Sequence, residues 1–265
     1  MTRHVSEAFA TAKAENRAAL IGYLPAGFPN PVQSVKLINA MVASGVDIIE
    51  VGLPYSDPLM DGPVIQQAVD QALEAGTTTD VVLNIVKQVV DAGAIAVVMS
   101  YWNPIERYGV EKFAIGLEAA GGSGVIAPDL TPEEAGDWSV ASDAHAIDRI
   151  LMVAPSSTDA RIASIVGVTS GFVYAASTMG VTGARTTVSS GAHELVARTR
   201  AATSLPIAVG LGVSTGDQAA EIAAYADGVI VGSAFVRRVL DAPSDEAAIE
   251  AVSDLAKELA AGVRR

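Results

Sequence analysis

Two carboxylates near one another in the sequence are the residues best suited to carry chemistry. Glu50 lies inside an otherwise apolar run, and Asp61 lies in the proline-rich segment that follows it. A carboxylate in an apolar strand is costly unless it is paired or functional. Burial would raise the pKa of Glu50 and suit it to general acid–base work near neutral pH. A structural carboxylate, satisfied by backbone donors or a serine, is the alternative.

The segment after Glu50 places Asp57 and Asp61 among three prolines. Proline restricts the backbone and so fixes where the two aspartates point. Asp-Pro and Asp-Gly are also common turn dipeptides, so an ordinary turn is the alternative. The apolar residues Leu59 and Met60 favour packing of this segment against a substrate or a partner.

Glycine-rich segments follow the last three predicted strands, at 177–185, 210–214 and 232–234. Glycine lets backbone N–H groups approach an anion, and a helix N-terminus adds its dipole. Three such loops in succession predict a phosphate site, with tight turns as the alternative. The longer stretch 177–189, which contains Arg185, is either a lid over the substrate or an ordinary surface loop.

Other polar residues that follow predicted strands are less informative. Asp129 is predicted to be a residue of a pre-helical loop, and Asn103 either caps a loop or contacts the pocket. There is no cysteine, so disulfides and a thiolate nucleophile are excluded. None of the three histidines ends a predicted strand, and all five lysines lie in helical patterns. We therefore predict no metal site and no Schiff-base chemistry.

Eight short apolar runs alternate with amphipathic runs and supply the elements that would position these residues. The runs predict strands at 20–24, 48–51, 95–100, 124–127, 150–153, 172–175, 207–209 and 229–231. Their lack of polar alternation favours parallel strands covered on both faces. Eight such units predict one (β/α)8 TIM barrel domain over residues 1–265. A doubly wound open sheet is the alternative, but the glycine fingerprint of dinucleotide folds is missing after the first strand.

Additional helices are expected before the first strand and after strands 2 and 8. The sequence from Thr131 to Glu134 has the pattern of a helix start, with a capping threonine, a proline and a glutamate. The tail over 244–261 predicts a long amphipathic helix.

The composition limits the class of partner and the compartment. Apolar residues make up 50% of the 265, and the net charge is −13. That charge argues against nucleic acid or an anionic membrane as the main partner. Residues 1–16 do not have the pattern of a signal peptide, and the longest mostly apolar stretch, 92–102, is too short to span a bilayer. We expect a cytoplasmic protein.

Four motifs resemble one family, the tryptophan synthase α chain. The segment 49–66 reads IEVGLPYSDPLMDGPVIQ, 180–185 reads GVTGAR, 210–214 reads GLGVS and 231–234 reads VGSA. Their order and spacing extend the resemblance over essentially the whole chain. The first motif is the most specific, because glycine loops are shared with many phosphate-binding barrels. Two positions differ from many members, which have phenylalanine where Tyr23 and Leu211 stand.

The resemblance implies a lyase that cleaves indole-3-glycerol phosphate into indole and glyceraldehyde 3-phosphate. It also implies an α2β2 heterotetramer, in which a β chain joins indole to serine with pyridoxal phosphate while the α chain itself has no cofactor. The implied catalytic residues are Glu50 and Asp61. The implied substrate contacts are Tyr23, Tyr174, Thr182, Gly183, Gly212, Gly232 and Ser233. The expected contacts with the β chain are Pro54, Asp57 and Met60.

Two carboxylates with different pKa values suit this reaction. We assign proton transfer to Glu50 and acceptance of the indole N–H to Asp61. Another phosphate-binding barrel enzyme, such as a sugar-phosphate isomerase or aldolase, remains an alternative. Indole-3-glycerol phosphate synthase is a weaker one, because its chemistry favours a lysine at a strand end. A non-catalytic barrel that binds a phosphorylated ligand and regulates a partner is the third.

Overall fold

The computed structural model describes residues 4–176, 190–210 and 212–265. Within these ranges, parallel strands form one sheet that closes almost completely into a barrel. The strands are β1 (Ala19–Pro25), β2 (Ile48–Gly52), β3 (Ala96–Met99), β4 (Gly124–Ile126), β5 (Asp148–Ile150), β6 (Met152–Val153), β7 (Val173–Ala176), β8 (Ile207–Gly210) and β9 (Gly228–Val231). They are ordered β5-β4-β3-β2-β1-β9-β8-β7-β6, and the predicted α/β TIM barrel is confirmed.

The fifth predicted strand, 150–153, is observed as two short pieces, β5 and β6, which begin two residues earlier at Asp148. β5 pairs with β4, and β6 pairs with β7. These pieces form the two ends of the sheet and are separated only by Leu151, so the barrel closes through one continuous run of chain. The Leu151 carbonyl accepts a hydrogen bond from the Tyr174 N–H at 3.1 Å, which ties the junction to β7.

Helices connect the strands and cover the outside of the barrel. They are α1 (Val5–Ala14), α2 (Pro31–Ala43), α3 (Pro63–Glu74), α4 (Thr79–Asp91), α5 (Trp102–Tyr108), α6 (Val110–Ala120), α7 (Gly136–Ala144), α8 (Asp159–Val168), α9 (Ser190–Ala202), α10 (Gly216–Ala223), α11 (Ser233–Leu240) and α12 (Asp245–Gly262). The expected extra helices are α1, one of the pair after β2, and one of the pair after β9. The short helix α5 after β3 was not expected. In the described ranges, none of the helices has the length and apolar character that crossing a membrane requires.

The barrel interior is filled by side chains that alternate along the strands. Ile21, Ile48, Val97 and Ile230 belong to one buried cluster inside the barrel. Helix α1 closes the amino-terminal end of this cluster, where the Phe9 ring lies 5.4 Å from that of Phe172. The amino-terminal end is therefore packed. This leaves the opposite end, where strands lead into helices, for the functional groups.

Candidate active site

Glu50 faces the barrel interior because side chains alternate along β2. Ile48, two residues earlier, belongs to the interior cluster, so Glu50 projects on the same side near the carboxyl end of the strand. Its Cα is in register with that of Tyr23 on β1. The chain thus places a carboxylate directly above its apolar core.

The Glu50 carboxyl group is buried, and one of its two oxygens lacks a partner in the described part of the chain. Only 1% of the residue is exposed, and Oε1 has no hydrogen-bond partner among the described residues. Burial raises the pKa of Glu50 from its ordinary 4.5 to about 8. At neutral pH the group therefore holds its proton and has an oxygen free to act on a ligand.

Asp61 lies in the loop between β2 and α3 and is held by Tyr101. The Tyr101 hydroxyl donates to Asp61 Oδ1 at 2.8 Å and accepts from the Met60 N–H at 2.9 Å. Burial raises the pKa of Asp61, and the hydrogen bond from Tyr101 opposes that rise because it favours the ionised form.

Two further phenols share the space with the carboxylates. Tyr23 and Tyr174 are each 9% exposed. Burial raises the pKa of Tyr23, and the negative charges of Asp61 and Glu50 raise it further. The pKa of Tyr174 is raised by its burial and then by Glu50. Because both carboxylates lie near enough to raise the pKa of Tyr23, Glu50 and Asp61 are brought together around this ring.

The glycines Gly52 and Gly210 make room for these rings. A Cβ at Gly52 would lie 2.5 Å from the Tyr23 hydroxyl oxygen, and a Cβ at Gly210 would collide with the hydroxyl of Tyr174. The sequence pattern alone indicates a phosphate contact or a turn at Gly210. This glycine also has a packing role in the pocket.

Of the described glycine-loop residues, Gly232 lies beside Tyr23. Gly232 precedes α11 and has no side-chain cap, while Ser233 at the first position of the helix is buried. A Cβ at Gly232 would lie 3.6 Å from Tyr23 Cβ, so this helix start adjoins the pocket. Gly212 has φ +69°, a left-handed conformation that favours glycine. The substrate contacts expected at Thr182 and Gly183, the lid over 177–189 with Arg185, and Leu211 lie outside the described residues.

The segment expected to contact a partner is partly exposed. Asp57 is exposed and accepts a hydrogen bond from the Ser56 hydroxyl at 2.6 Å. Leu59 is 74% exposed, which is unusual for a large apolar side chain, and Met60 is half-buried. Pro54, by contrast, is buried within the chain itself.

Two ambiguous loop residues have structural partners. The Asp129 carboxylate accepts the Trp102 N–H at 2.9 Å and so holds the first turn of α5. Asn103 donates from Nδ2 to the Tyr55 hydroxyl at 2.9 Å. The sequence patterns do not single out Tyr101, which lies two residues after the end of β3 at Met99. Its position after a strand was the only signal, because its partner Asp61 lies in another loop.

Groups suited to metal or amine chemistry lie elsewhere. Each of the five lysines lies in a helix, at positions 13, 36, 87, 112 and 257. His145 lies between Glu118 and Glu111 on the helical surface, and these hydrogen bonds raise its pKa. Over the described ranges, no three histidine or carboxylate side chains are grouped so that they could hold a metal ion.

Comparison with known proteins identifies the family. A family model described as "Tryptophan synthase alpha chain" matches residues 9–264. The chain belongs to the tryptophan synthase alpha chain family. The tryptophan synthase alpha chain of Thermobifida fusca is 64% identical over 258 residues, which are 96% of each chain. That of Acidothermus cellulolyticus is 59% identical over 98% of this chain and 97% of its own.

Solved structures agree with this assignment. A structure of Mycobacterium tuberculosis tryptophan synthase superposes with a TM-score of 0.94 at 52% identity, covering 100% of both chains. A tryptophan synthase alpha chain from Legionella pneumophila superposes with a TM-score of 0.88 at 32% identity, covering 98% of this chain and 96% of its own. As a tryptophan synthase alpha chain, the protein is a carbon–carbon lyase of tryptophan biosynthesis that acts on indole-3-glycerol phosphate. The isomerase-type and regulatory alternatives are not favoured.

Proposed function

We propose that the chain, as a single barrel domain over residues 1–265, cleaves indole-3-glycerol phosphate with Glu50 and Asp61 as its catalytic pair. The observation that carries this proposal is the buried Glu50 carboxyl, whose pKa is raised to about 8 and whose Oε1 has no hydrogen-bond partner among the residues that the structure describes. A protonated acid at neutral pH is what the first step requires. Asp61, tied to Tyr101, supplies the second carboxylate.

Cleavage begins with protonation of the indole ring, because a free indole carbanion is a poor leaving group. Glu50 gives its proton to C3, and Asp61 accepts the ring N–H and stabilises the cationic indolenine. The Glu50 carboxylate then takes the proton of the side-chain hydroxyl. The carbon–carbon bond breaks, its electron pair restores the aromatic ring, and the hydroxyl carbon becomes the aldehyde of glyceraldehyde 3-phosphate. Glu50 ends the cycle protonated again, so the proton balance closes.

The surrounding residues would bind the two ends of the substrate. Tyr23 and Tyr174 offer aromatic faces to the indole ring beside Glu50. Gly212, Gly232 and Ser233 present backbone N–H groups near the start of α11 for the phosphate, with the helix dipole assisting. Thr182 and Gly183 are proposed as further contacts from the sequence alone.

The steps above transfer protons and break one carbon–carbon bond without an external oxidant or reductant, so we propose that the chain needs no cofactor of its own. Pyridoxal phosphate would belong to the β chain of a cytoplasmic α2β2 heterotetramer. Indole is apolar and easily lost, which makes direct transfer to a second active site advantageous. The exposed Asp57 and Leu59 and the half-buried Met60 support docking of the β chain on this loop, and the buried Pro54 would shape the loop from within.

The proposal is tested by incubating the full chain with indole-3-glycerol phosphate, alone and with saturating cognate β chain. We expect indole and glyceraldehyde 3-phosphate in equal amounts, formed faster in the presence of the β chain. An isomerised phosphate product would indicate another barrel enzyme. Binding of the substrate without indole release, even with the β chain present, would indicate a regulatory protein. Either outcome would contradict the proposal.

A further inference from the structure

The hydroxyl of Tyr101 is the best-defined polar contact of Asp61, and its hydrogen-bonding direction is fixed by a second partner. The Met60 N–H can only donate, so it occupies an acceptor site of the phenol oxygen at 2.9 Å. The single hydroxyl proton is then free to point to Asp61 Oδ1 at 2.8 Å. Burial raises the pKa of Tyr101, so the phenol keeps this proton over the whole assay range.

The backbone at Tyr101 is anchored on both sides. Its carbonyl accepts from the Ser100 hydroxyl at 2.7 Å. The next N–H, that of Trp102, is held by Asp129 at 2.9 Å. The Tyr101 ring packs against that of Tyr55 with centroids 5.6 Å apart, and only 7% of the residue is exposed. The hydroxyl therefore sits at the end of a rigid support, while Asp61 lies in a loop.

We infer that Tyr101 is a positioning residue that occupies one oxygen of Asp61 and leaves the other oxygen to accept the indole N–H. This inference rests on the proposed function, because it assigns the direction of Asp61 in the reaction described above. A donor fixed on Oδ1 selects one rotation of the carboxylate. It also favours the ionised form, whose negative charge strengthens the hydrogen bond from the ring N–H and stabilises the cationic indolenine.

Among the described residues, the charged and titratable groups around Asp61 come from β1, from β2 and from the residue that precedes α5. Tyr101 approaches from the start of α5, and Tyr23 approaches from β1. Glu50 on β2 shares Tyr23 as a neighbour with Asp61, and the charge of each raises the pKa of that phenol. Gln66 on α3 donates from Nε2 to the Asp61 carbonyl at 2.8 Å and carries no charge. Of these groups, Tyr101 is the one whose hydrogen bond lowers the Asp61 pKa.

The test is Tyr101→Phe in the full chain, assayed for indole release with saturating β chain across the pH range. A matched control is Tyr108→Phe at the end of α5. It removes the hydrogen bond that another phenol donates to a carboxylate, that of Asp80. We expect kcat of Tyr101→Phe to fall about 10- to 100-fold, as for loss of a hydrogen bond to a charged group, with little change in KM. The acid limb of the pH profile should move to higher pH, because Asp61 loses the bond that favours its ionised form. The control should show neither change.

A double-mutant cycle with Asp61→Asn separates positioning from a general loss of structure. If Tyr101 acts through Asp61, Tyr101→Phe should cost little more in the Asp61→Asn background. An unchanged kcat in Tyr101→Phe would overturn the inference. So would an acid limb that does not move, together with an equal loss of kcat in the wild-type and Asp61→Asn backgrounds. Thermal unfolding of each variant identifies any protein that fails to fold. If the wild-type chain released no indole at all, the proposed function would fail instead, so the two failures are distinguishable.

Discussion

Replacing Glu50 by glutamine should make the protein more stable while removing its activity. The native state buries the carboxyl and raises its pKa from 4.5 to about 8. Between these two values the unfolded chain releases the proton and the native chain retains it, so wild-type stability falls as the pH rises. Glutamine has the shape of the protonated acid and does not titrate.

The size of the gain follows from the distance between the two pKa values. Each pH unit in this interval lowers the free energy of unfolding of the wild type by about 1.4 kcal/mol. The variant should therefore be more stable by about 1 kcal/mol at pH 5 and about 3 kcal/mol at pH 7, with the difference levelling off above pH 8. Such a gain is characteristic of sites where function requires an unfavourable group.

Urea unfolding at about pH 5, 7 and 8.5 measures this difference for wild type and variant. A matched control is Glu74→Gln, which makes the same change at an exposed position on α3. The control should show no pH-dependent gain. A Glu50→Gln variant that is less stable than wild type at pH 7, or whose gain does not grow between pH 5 and 8.5, would refute the claim that Glu50 is buried and protonated.

Three other substitutions test the pocket and the partner loop. Asp61→Asn should lower kcat about 100-fold, because the amide NH2 group can only donate a hydrogen bond where the carboxylate oxygen accepted one. Inhibition by glycerol phosphate should stay near normal, and a collapse of phosphate affinity would contradict this role. Gly52→Ala should lower kcat/KM for indole-3-glycerol phosphate, because the new Cβ displaces the Tyr23 hydroxyl, which lies 2.5 Å from its position; unchanged kinetics would show that Tyr23 does not shape the pocket. Leu59→Asp should raise the concentration of β chain needed for half-maximal stimulation, since it charges a side chain that is 74% exposed on the proposed docking loop; an unaltered titration would place the docking surface elsewhere.

The grouping of the candidate site residues Glu50, Tyr23 and Tyr174 at one end of the barrel could be predicted because two simple rules hold in this chain. Strand side chains alternate, so Glu50 follows Ile48 into the barrel. Parallel strands end at the same face, so Glu50, Tyr23 and Tyr174 lie near one another although they are distant in sequence. Both rules depend only on the local pattern of apolar residues and on the closure of the sheet.

Other features depended on contacts that a local pattern does not contain. The pattern at Thr131 predicts a helix start, but its hydroxyl bonds to the Glu134 side chain at 2.8 Å and α7 begins later, at Gly136. The fifth barrel strand is interrupted at Leu151, and no turn residue marks that position. The bond from Tyr101 to Asp61 joins residues from two separate loops and depends on how α5 is anchored.

The most direct test of the central claim compares indole release by wild type and Glu50→Gln with saturating β chain at pH 7. The claim is that Glu50 both gives and takes the proton, so the variant should bind indole-3-glycerol phosphate normally and lose about 10²–10⁴-fold in turnover. The Glu74→Gln control should cleave at the wild-type rate. Near-normal turnover by Glu50→Gln would contradict the account, because the reaction would then proceed without the residue on which both proton transfers depend.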